Sequence, residues 1–292
     1  MDIPEPKTVE LRGAELAMRE WGEPEGNPLL FWHALGDHNN LQLLEAGPIL
    51  ARDYGLRILA VDAPGFGGSP RVADEGYEIP ALIDLTARLL DELRLEAVAW
   101  MGSSWGASLA VHFTVAHPGR VAALVLLDGG YSDVAGGNAR TREEERAHWR
   151  GQPELFAFPD WESMLAEARQ YFRRWTPGIE AMNRASYRED GGRVVSIMGP
   201  DVYSAAIHGI RTSPPSQAHE QLSRTGVAVL LLAATLPEEQ EPERAAARER
   251  FAALVPQAEI RVVPDLPHFV LEDKPVEAAQ AVGDWLRSLS YP

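Results

Sequence analysis

The sequence predicts an α/β protein built on a mostly parallel, doubly wound sheet with a helical segment inserted into it. Three observations carry this. Short apolar runs recur at 28–35, 56–64, 97–102, 121–128, 227–234 and 259–265. They are continuous rather than alternating, as strands buried on both faces are. Stretches with apolar residues three and four apart lie between them, near 40–52, 79–94, 105–117, 241–254 and 275–290, which makes βαβ units. One long stretch, 131–222, breaks that rhythm.

Taken in order, the opening TVELRGAELAMREWG alternates around Arg12-Gly13 and reads as an antiparallel hairpin at the sheet edge. The runs that follow are the core strands, each with a helix behind it. Within 131–222, TREEERAHWR and DWESMLAEARQYFRRW are amphipathic helix candidates, REDGGRVVS resembles a turn and RTSPPSQ a loop. The expected division is a core of 1–130 and 223–292 with a helical lid of 131–222.

Composition narrows the function. The 292 residues carry a formal net charge of −16, so the basic footprint that nucleic acid demands is missing and an anionic membrane surface is disfavoured. There is no cysteine, which removes disulfides, thiolate catalysis and Cys-type zinc sites. MDIPEPKTVE carries no apolar stretch of signal-peptide type, and no run reaches the roughly 20 apolar residues of a membrane span. A cytoplasmic protein acting on a small molecule is the expectation; the oligomeric state is left open.

GSSWG, residues 102–106, stands where a strand run gives way to a helical run. Gly-x-Ser-x-Gly in that setting is a nucleophile elbow: the turn is so tight that the positions two before and two after the serine must be small. Ser104 then stands at the amino end of a helix, whose dipole favours developing negative charge. A serine nucleophile needs a base, and His268 in DLPHFVLEDKP lies after the last strand run, at the sheet edge where strand C-terminal ends gather. An oxyanion needs donors. The Trp105 amide is one; FWHALGDH supplies the second, through the Leu35 amide, with His33 bracing the loop. The His33/Asp37/His38 group lacks a defined metal spacing, and no metal or other cofactor is called for. PGFGGS lacks the Gly-Lys-Ser/Thr ending of a phosphate loop and reads as a turn beside the site.

HALG (33–36), DAPGFGGS (62–69), GSSWG and PHFVLEDKP (267–275), in that order, resemble the α/β-hydrolase family with a helical lid. The resemblance covers about 28–130 and 225–290. It implies a serine hydrolase with Ser104 as nucleophile, His268 as base and the Leu35 and Trp105 amides as oxyanion hole. Three departures stand out. Ala34 and Pro267 occupy positions where the family usually has glycine. The usual slot for the acid, after the strand that follows the lid, falls near Pro237, with no aspartate there. Asp128, at the end of the preceding strand run and followed by two glycines, is the favoured acid; Glu238 or Glu239 is the alternative. Trp32, Phe66, Trp105 and Phe269 are expected to rim an apolar pocket, with Tyr203 and His208 facing it from the lid.

The expected activity is cleavage of a small carboxylic ester or related acyl compound through an acyl-enzyme. Amide or iminopeptide, lactone and C–C bond hydrolysis share the chemistry and stay open, as does a ligand-binding protein of the same fold with little turnover. Lid carboxylates Glu143, Glu144 and Glu145 could recognise a free amine, although such a run usually forms a solvated helix face. Serine at 104 argues against dehalogenase and epoxide-hydrolase chemistry, for which the resemblance would require aspartate.

Overall fold

The computed structural model describes residues 3–134, 140–289 and 291. Eleven strands run β1 Lys7–Leu11, β2 Ala14–Trp21, β3 Asn27–Trp32, β4 Leu56–Val61, β5 Val98–Ser103, β6 Val121–Leu127, β7 Ala157–Phe158, β8 Tyr187–Asp190, β9 Arg193–Ser196, β10 Ala228–Ala233 and β11 Ala258–Val262. The helices are α1 Gly47–Tyr54, α2 Ile79–Glu92, α3 Trp105–Ala116, α4 Arg142–Arg150, α5 Trp161–Arg169, α6 Pro177–Ala185, α7 Gly199–Thr212, α8 His219–Arg224, α9 Glu241–Leu254, α10 Val270–Asp273 and α11 Pro275–Ser288.

Eight strands form one sheet in the order β1-β2-β4-β3-β5-β6-β10-β11. β1 and β2 make the edge hairpin and join β4 antiparallel; the remaining pairs are parallel. The continuous apolar runs have a direct cause. Alternate residues of each strand feed opposite cores: Leu30, Trp32, Trp100, Leu124 and Leu231 pack with α2, α3 and α9, while Leu29, Phe31, Met101, Val125 and Leu230 pack with α1, α10 and α11. A strand buried on both faces has no polar face to show.

Between β6 and β10 the chain forms a separate layer. It is not helical throughout: β7, β9 and β8 make a small antiparallel sheet, with the 187–196 turn-like sequence forming the β8–β9 hairpin. The two glycines of that turn, Gly191 and Gly192, both have positive φ. α4 opens on a capping box, Thr141 with Glu144. Glu143 and Glu144 are exposed, as a solvated face requires, but Glu145 is fully buried, bonded by Trp149 Nε1 at 3.0 Å and paired with Arg211. The end of this segment, Pro215–Arg224, packs on α3 and α9 and so lies with the core, before the 222/223 division expected from sequence. Among the described residues no helix is long and apolar enough to cross a membrane.

The close approaches that set the sheet's carboxyl edge are glycine contacts. A Cβ on Gly106 would lie 2.1 Å from the Trp32 carbonyl oxygen, backbone that cannot move aside. Gly106→Ala is therefore expected to lower unfolding free energy by about 3 kcal/mol. Gly119→Ala, at a position with open space around it, should stay within about 0.5 kcal/mol of the parent. Denaturant titration of the two variants makes the comparison, and equal midpoints would refute the packing argument.

Candidate active site

Ser104 follows β5 directly and caps α3 with φ 50° and ψ −106°, a left-handed conformation unusual for a residue with a Cβ. The neighbours hold it there. Its N–H donates to the Leu127 carbonyl at 3.0 Å, and its own carbonyl accepts from Ala107 and Ser108, both at 3.1 Å. Gly102 and Gly106 touch across the turn: a Cβ on Gly102 would meet the Gly106 backbone at 2.4 Å. Gly129 approaches as closely, a Cβ there falling 2.4 Å from the Ser104 carbonyl oxygen.

β5 and β6 are paired with Ser103 opposite Leu127, so Ser104 and Asp128 emerge side by side. His268 arrives from the loop between β11 and α10. Its Nε2 lies 2.8 Å from Ser104 Oγ and its Nδ1 lies 2.6 Å from Asp128 Oδ2. A carboxylate only accepts, so Nδ1 carries the hydrogen and Nε2 is the free base facing the hydroxyl. Asp128 is 4% exposed and serves three more donors. Its Oδ1 accepts from the Ala234 amide at 2.9 Å and Tyr131 Oη at 3.2 Å, and its Oδ2 from Arg244 at 2.9 Å. Burial alone would raise its pKa; the hydrogen bond and charge of His268, then Arg244 and the Ala234 amide, outweigh it and hold the carboxyl below its ordinary value. Burial pushes Tyr131 up to about 12, helped by the Asp128 charge, so the phenol stays protonated and donates.

Glu238 and Glu239 lie exposed in a short 3-10 helix, and among the described residues neither bonds to His268. The structure thus brings Asp128 to the histidine and leaves the alternative acids outside. Arg244, Tyr131 and the Ala234 amide were not read from sequence. Arg244 had a faint signal, since it stands one turn from Arg248 on a helix opening with glutamates. Nothing local marks the other two.

The loop after β3 is braced as a unit. His33 Nε2 accepts from the Ala63 amide at 3.0 Å, so Nδ1 carries the hydrogen and donates to the Ala34 carbonyl at 2.7 Å. Gln42 accepts from the Ala34 amide at 3.1 Å and donates to Glu272 at 2.9 Å and Ser103 at 3.2 Å. His38 Nε2 lies 3.1 Å from Glu272, and Asp37 accepts from Tyr187 Oη at 2.7 Å. His33, Asp37 and His38 therefore turn to three different partners. The amides of Leu35 and Trp105 donate to no group among the described residues. The PGFGGS turn packs beside this loop: Asp62 accepts from the amides of Asn40 at 2.6 Å and Gly68 at 2.9 Å.

Two cavities meet here. One, of about 800 Å³, is lined by Ser104, Asp128, His268, Ile207, Arg244 and Arg250 among others. The second, of about 890 Å³, lies between the loop after β3 and the segment inserted after β6. Leu35, Tyr203 and Phe269 line both. Three sequence expectations need correcting. Trp32 and Phe66 are sealed in the core, at 0% and 1% exposure, and line neither cavity. Trp32 stacks on Trp100 and meets Trp105 edge-on, because β3 turns its even positions inward toward α3. His208 faces away, donating to the Arg140 carbonyl at 3.1 Å, and lines neither cavity. The Trp105 side chain is also buried, leaving its backbone at the site.

The model of the family described as alpha/beta hydrolase fold matches residues 27–275. A poly(3-hydroxyalkanoate) depolymerase of Ectopseudomonas oleovorans is 40% identical over 131 residues, 42% of this chain and 44% of that protein. The chain thus spans under half that relative's length. An sn-1-specific diacylglycerol lipase of Mus musculus is 28% identical over 269 residues, 88% of this chain and 80% of that protein. Among solved structures, a thioesterase domain from the curacin biosynthetic pathway superposes with a TM-score of 0.80 at 20% identity, covering 98% of this chain and 100% of that one, which shows the fold alone.

His33 offers a test of the loop. Burial, first, and the neighbouring His38 charge lower its pKa to about 3, against an opposing bond to the Ala34 carbonyl. A histidine depressed on folding adds stability that is complete above its unfolded pKa near 6.5 and is lost as pH falls toward the folded value. His112 and His219 are lowered too and act in the same direction. The histidine contribution to unfolding free energy should therefore fall as pH drops below about 6.5, while Asp62, raised by burial to about 6, works in the opposite direction. Nitrogen NMR should find His33 neutral, in its Nδ1–H form, down to about pH 4. An Nε2–H form, or a titration midpoint near 6.5, would overturn the assignment.

Proposed function

The chain belongs to the α/β-hydrolase fold family, and from that premise we propose that it is a serine hydrolase cleaving a small carboxylic ester or related acyl compound. Its relatives are hydrolases, and hydrolase activity follows from the family. What carries the serine reading is the hydrogen-bonded line from Ser104 Oγ through His268 to Asp128, with both contacts at 2.8 Å or shorter. Ser104 Oγ attacks the carbonyl carbon as His268 Nε2 takes its proton. Asp128 fixes the tautomer and stabilises the imidazolium. The Leu35 and Trp105 amides receive the oxyanion. Collapse of the tetrahedral intermediate expels the alcohol, which takes the proton from His268. Water, deprotonated by His268, then attacks the acyl-enzyme and releases the acid, restoring Ser104.

The relatives named as a poly(3-hydroxyalkanoate) depolymerase and a diacylglycerol lipase favour ester substrates. The aromatic cavity that meets the Ser104 cavity at Leu35 gives an apolar acyl or alcohol group somewhere to go. Tyr203 and Phe269 line that passage; Trp32 and Phe66 act only behind it, as packing. The inserted segment of about 131–214 would then serve as the cap over the substrate.

A fluorophosphonate probe should label Ser104, located by peptide mass, and Ser104→Ala should abolish labelling. Asp128→Asn should lower kcat on p-nitrophenyl butyrate by about 10,000-fold. Glu238→Gln and Glu239→Gln should stay within about twofold, because both acids are exposed and neither bonds to the base. Full labelling in Asp128→Asn would move the acid elsewhere. Faster turnover of aminoacyl anilides than of p-nitrophenyl esters would replace the ester reading with an amidase one.

A further inference from the structure

The second cavity carries a feature that ester cleavage does not require. Its wall is strongly aromatic: Trp149, Tyr171, Phe172, Tyr187, Tyr203 and Phe269 all line it. Trp149 and Tyr203 meet edge-on at 4.5 Å, and Phe172 and Phe269 pack at 5.4 Å. Into this wall is set Asp37, two residues beyond the Leu35 amide. Its Oδ2 accepts from Tyr187 Oη at 2.7 Å, while its Oδ1 accepts from no donor among the described residues. No cation pairs with it among those residues. Arg193, the arginine on the lining, donates instead to the Ala157 carbonyl at 3.0 Å. Glu154 and Glu167 add further negative charge to the lining. His38 also lines the cavity, 5% exposed, with Nδ1 lacking a partner among the described residues and Nε2 directed at Glu272.

Asp37 is half-buried, and a carboxylate partly withdrawn from water is costly unless a cation or several donors meet it. Burial accordingly pushes Asp37 above the usual carboxylate range, against the Tyr187 hydrogen bond and the His38 charge. Aromatic faces, meanwhile, attract cations through their ring quadrupoles and do so most strongly away from water. The two features fit the same ligand. We propose that the cavity between Asp37 and the tyrosines of the inserted segment binds an alkylammonium group, so that the substrate is a cationic ester or related acyl compound. Turnover of such a compound rests on the serine-hydrolase reading; the cation site does not. Because Leu35, Tyr203 and Phe269 line both cavities, one molecule can place its carbonyl at the Leu35 amide and its cation beside Asp37.

The first measurement is calorimetric, at pH 8, on the full chain. Choline and its uncharged isostere 3,3-dimethylbutan-1-ol are titrated into the wild type and into Asp37→Asn. Choline should bind at least tenfold tighter than the isostere in the wild type, and the ratio should collapse in the variant. Equal affinities in the wild type would overturn the proposal, even if Asp37→Asn failed to fold. So would a ratio that survived in a folded Asp37→Asn. The second measurement compares kcat/KM for butyrylcholine against 3,3-dimethylbutyl butyrate, and for p-nitrophenyl 4-(trimethylammonio)butyrate against p-nitrophenyl 5,5-dimethylhexanoate. A tenfold preference within one pair supports the site and tells whether the cation sits on the alcohol or the acyl side. Parity in both pairs refutes it. The fluorophosphonate result keeps the two readings apart. Choline selectivity without Ser104 labelling would sink the hydrolase mechanism and leave the cation site standing. Labelling with parity in both pairs would do the reverse.

Discussion

Everything at the sheet's carboxyl edge depends on one turn held in an unfavourable conformation. Ser104 sits at φ 50°, a backbone state that costs a residue with a Cβ about 1–3 kcal/mol and persists only where the surroundings over-determine it. They do so here from three sides. β5 and α3 fix the chain before and after it. Gly102 and Gly106 let the two limbs touch, and Gly129 lets the end of β6 close against the serine backbone. A side chain at any of these glycines would push backbone against backbone. The result is a hydroxyl standing clear of the sheet at the start of a helix. Any partner for it must come from a loop at that same edge, after β3, β6 or β11.

The neighbouring strand places Asp128 beside the serine because of register. Ser103 lies opposite Leu127, and Leu127 opposite Leu232. Asp128 therefore starts between the end of β5 and the end of β10. It takes the Ala234 amide from one side and His268 from above. Its own positive φ, 41°, and the glycines behind it turn the chain away at once. In a protein of net charge −16, the long-range field would favour protonating a buried carboxyl. Local donors decide otherwise: four groups, one of them the Arg244 guanidinium, bond to two oxygens. At these distances in a partly dry site, near neighbours outweigh a screened net charge.

That difference between local and distant causes also explains what could be read in the sequence. The core strands were legible because burial on both faces removes polar residues from a run of six or seven, and the elbow because its steric demand falls within five residues. His268 and Asp128 could be placed by their position at strand ends. Trp32 and Phe66 were misread as pocket residues because a loop-flanking aromatic gives no sign of its direction. The β3 pleat sends Trp32 inward beside Trp100, a fact fixed by register with a strand about 70 residues away. The small β7–β9 sheet was missed for a related reason. Its strands are two to four residues long, too short for period to show.

Specificity is the least legible layer because its contacts are the least local. Asp37 meets Tyr187 across 150 positions of sequence, and Tyr203 meets Trp149 across 54. Neither pair has a spacing that a sequence pattern can express. Their chemistry is nonetheless constrained by the machinery beside them. The loop that carries Asp37 also offers the Leu35 amide, and it is pinned by His33, Gln42 and Glu272. The bracing holds Asp37 half-buried at the cavity wall, where no cation among the described residues pairs with it. A neutral acid would suit an uncharged ligand, but the tyrosine faces, the glutamates on the lining and an arginine engaged elsewhere all tilt the local potential toward a cation. The same bracing that fixes the Leu35 amide thus fixes Asp37 on the wall of the cavity beside it.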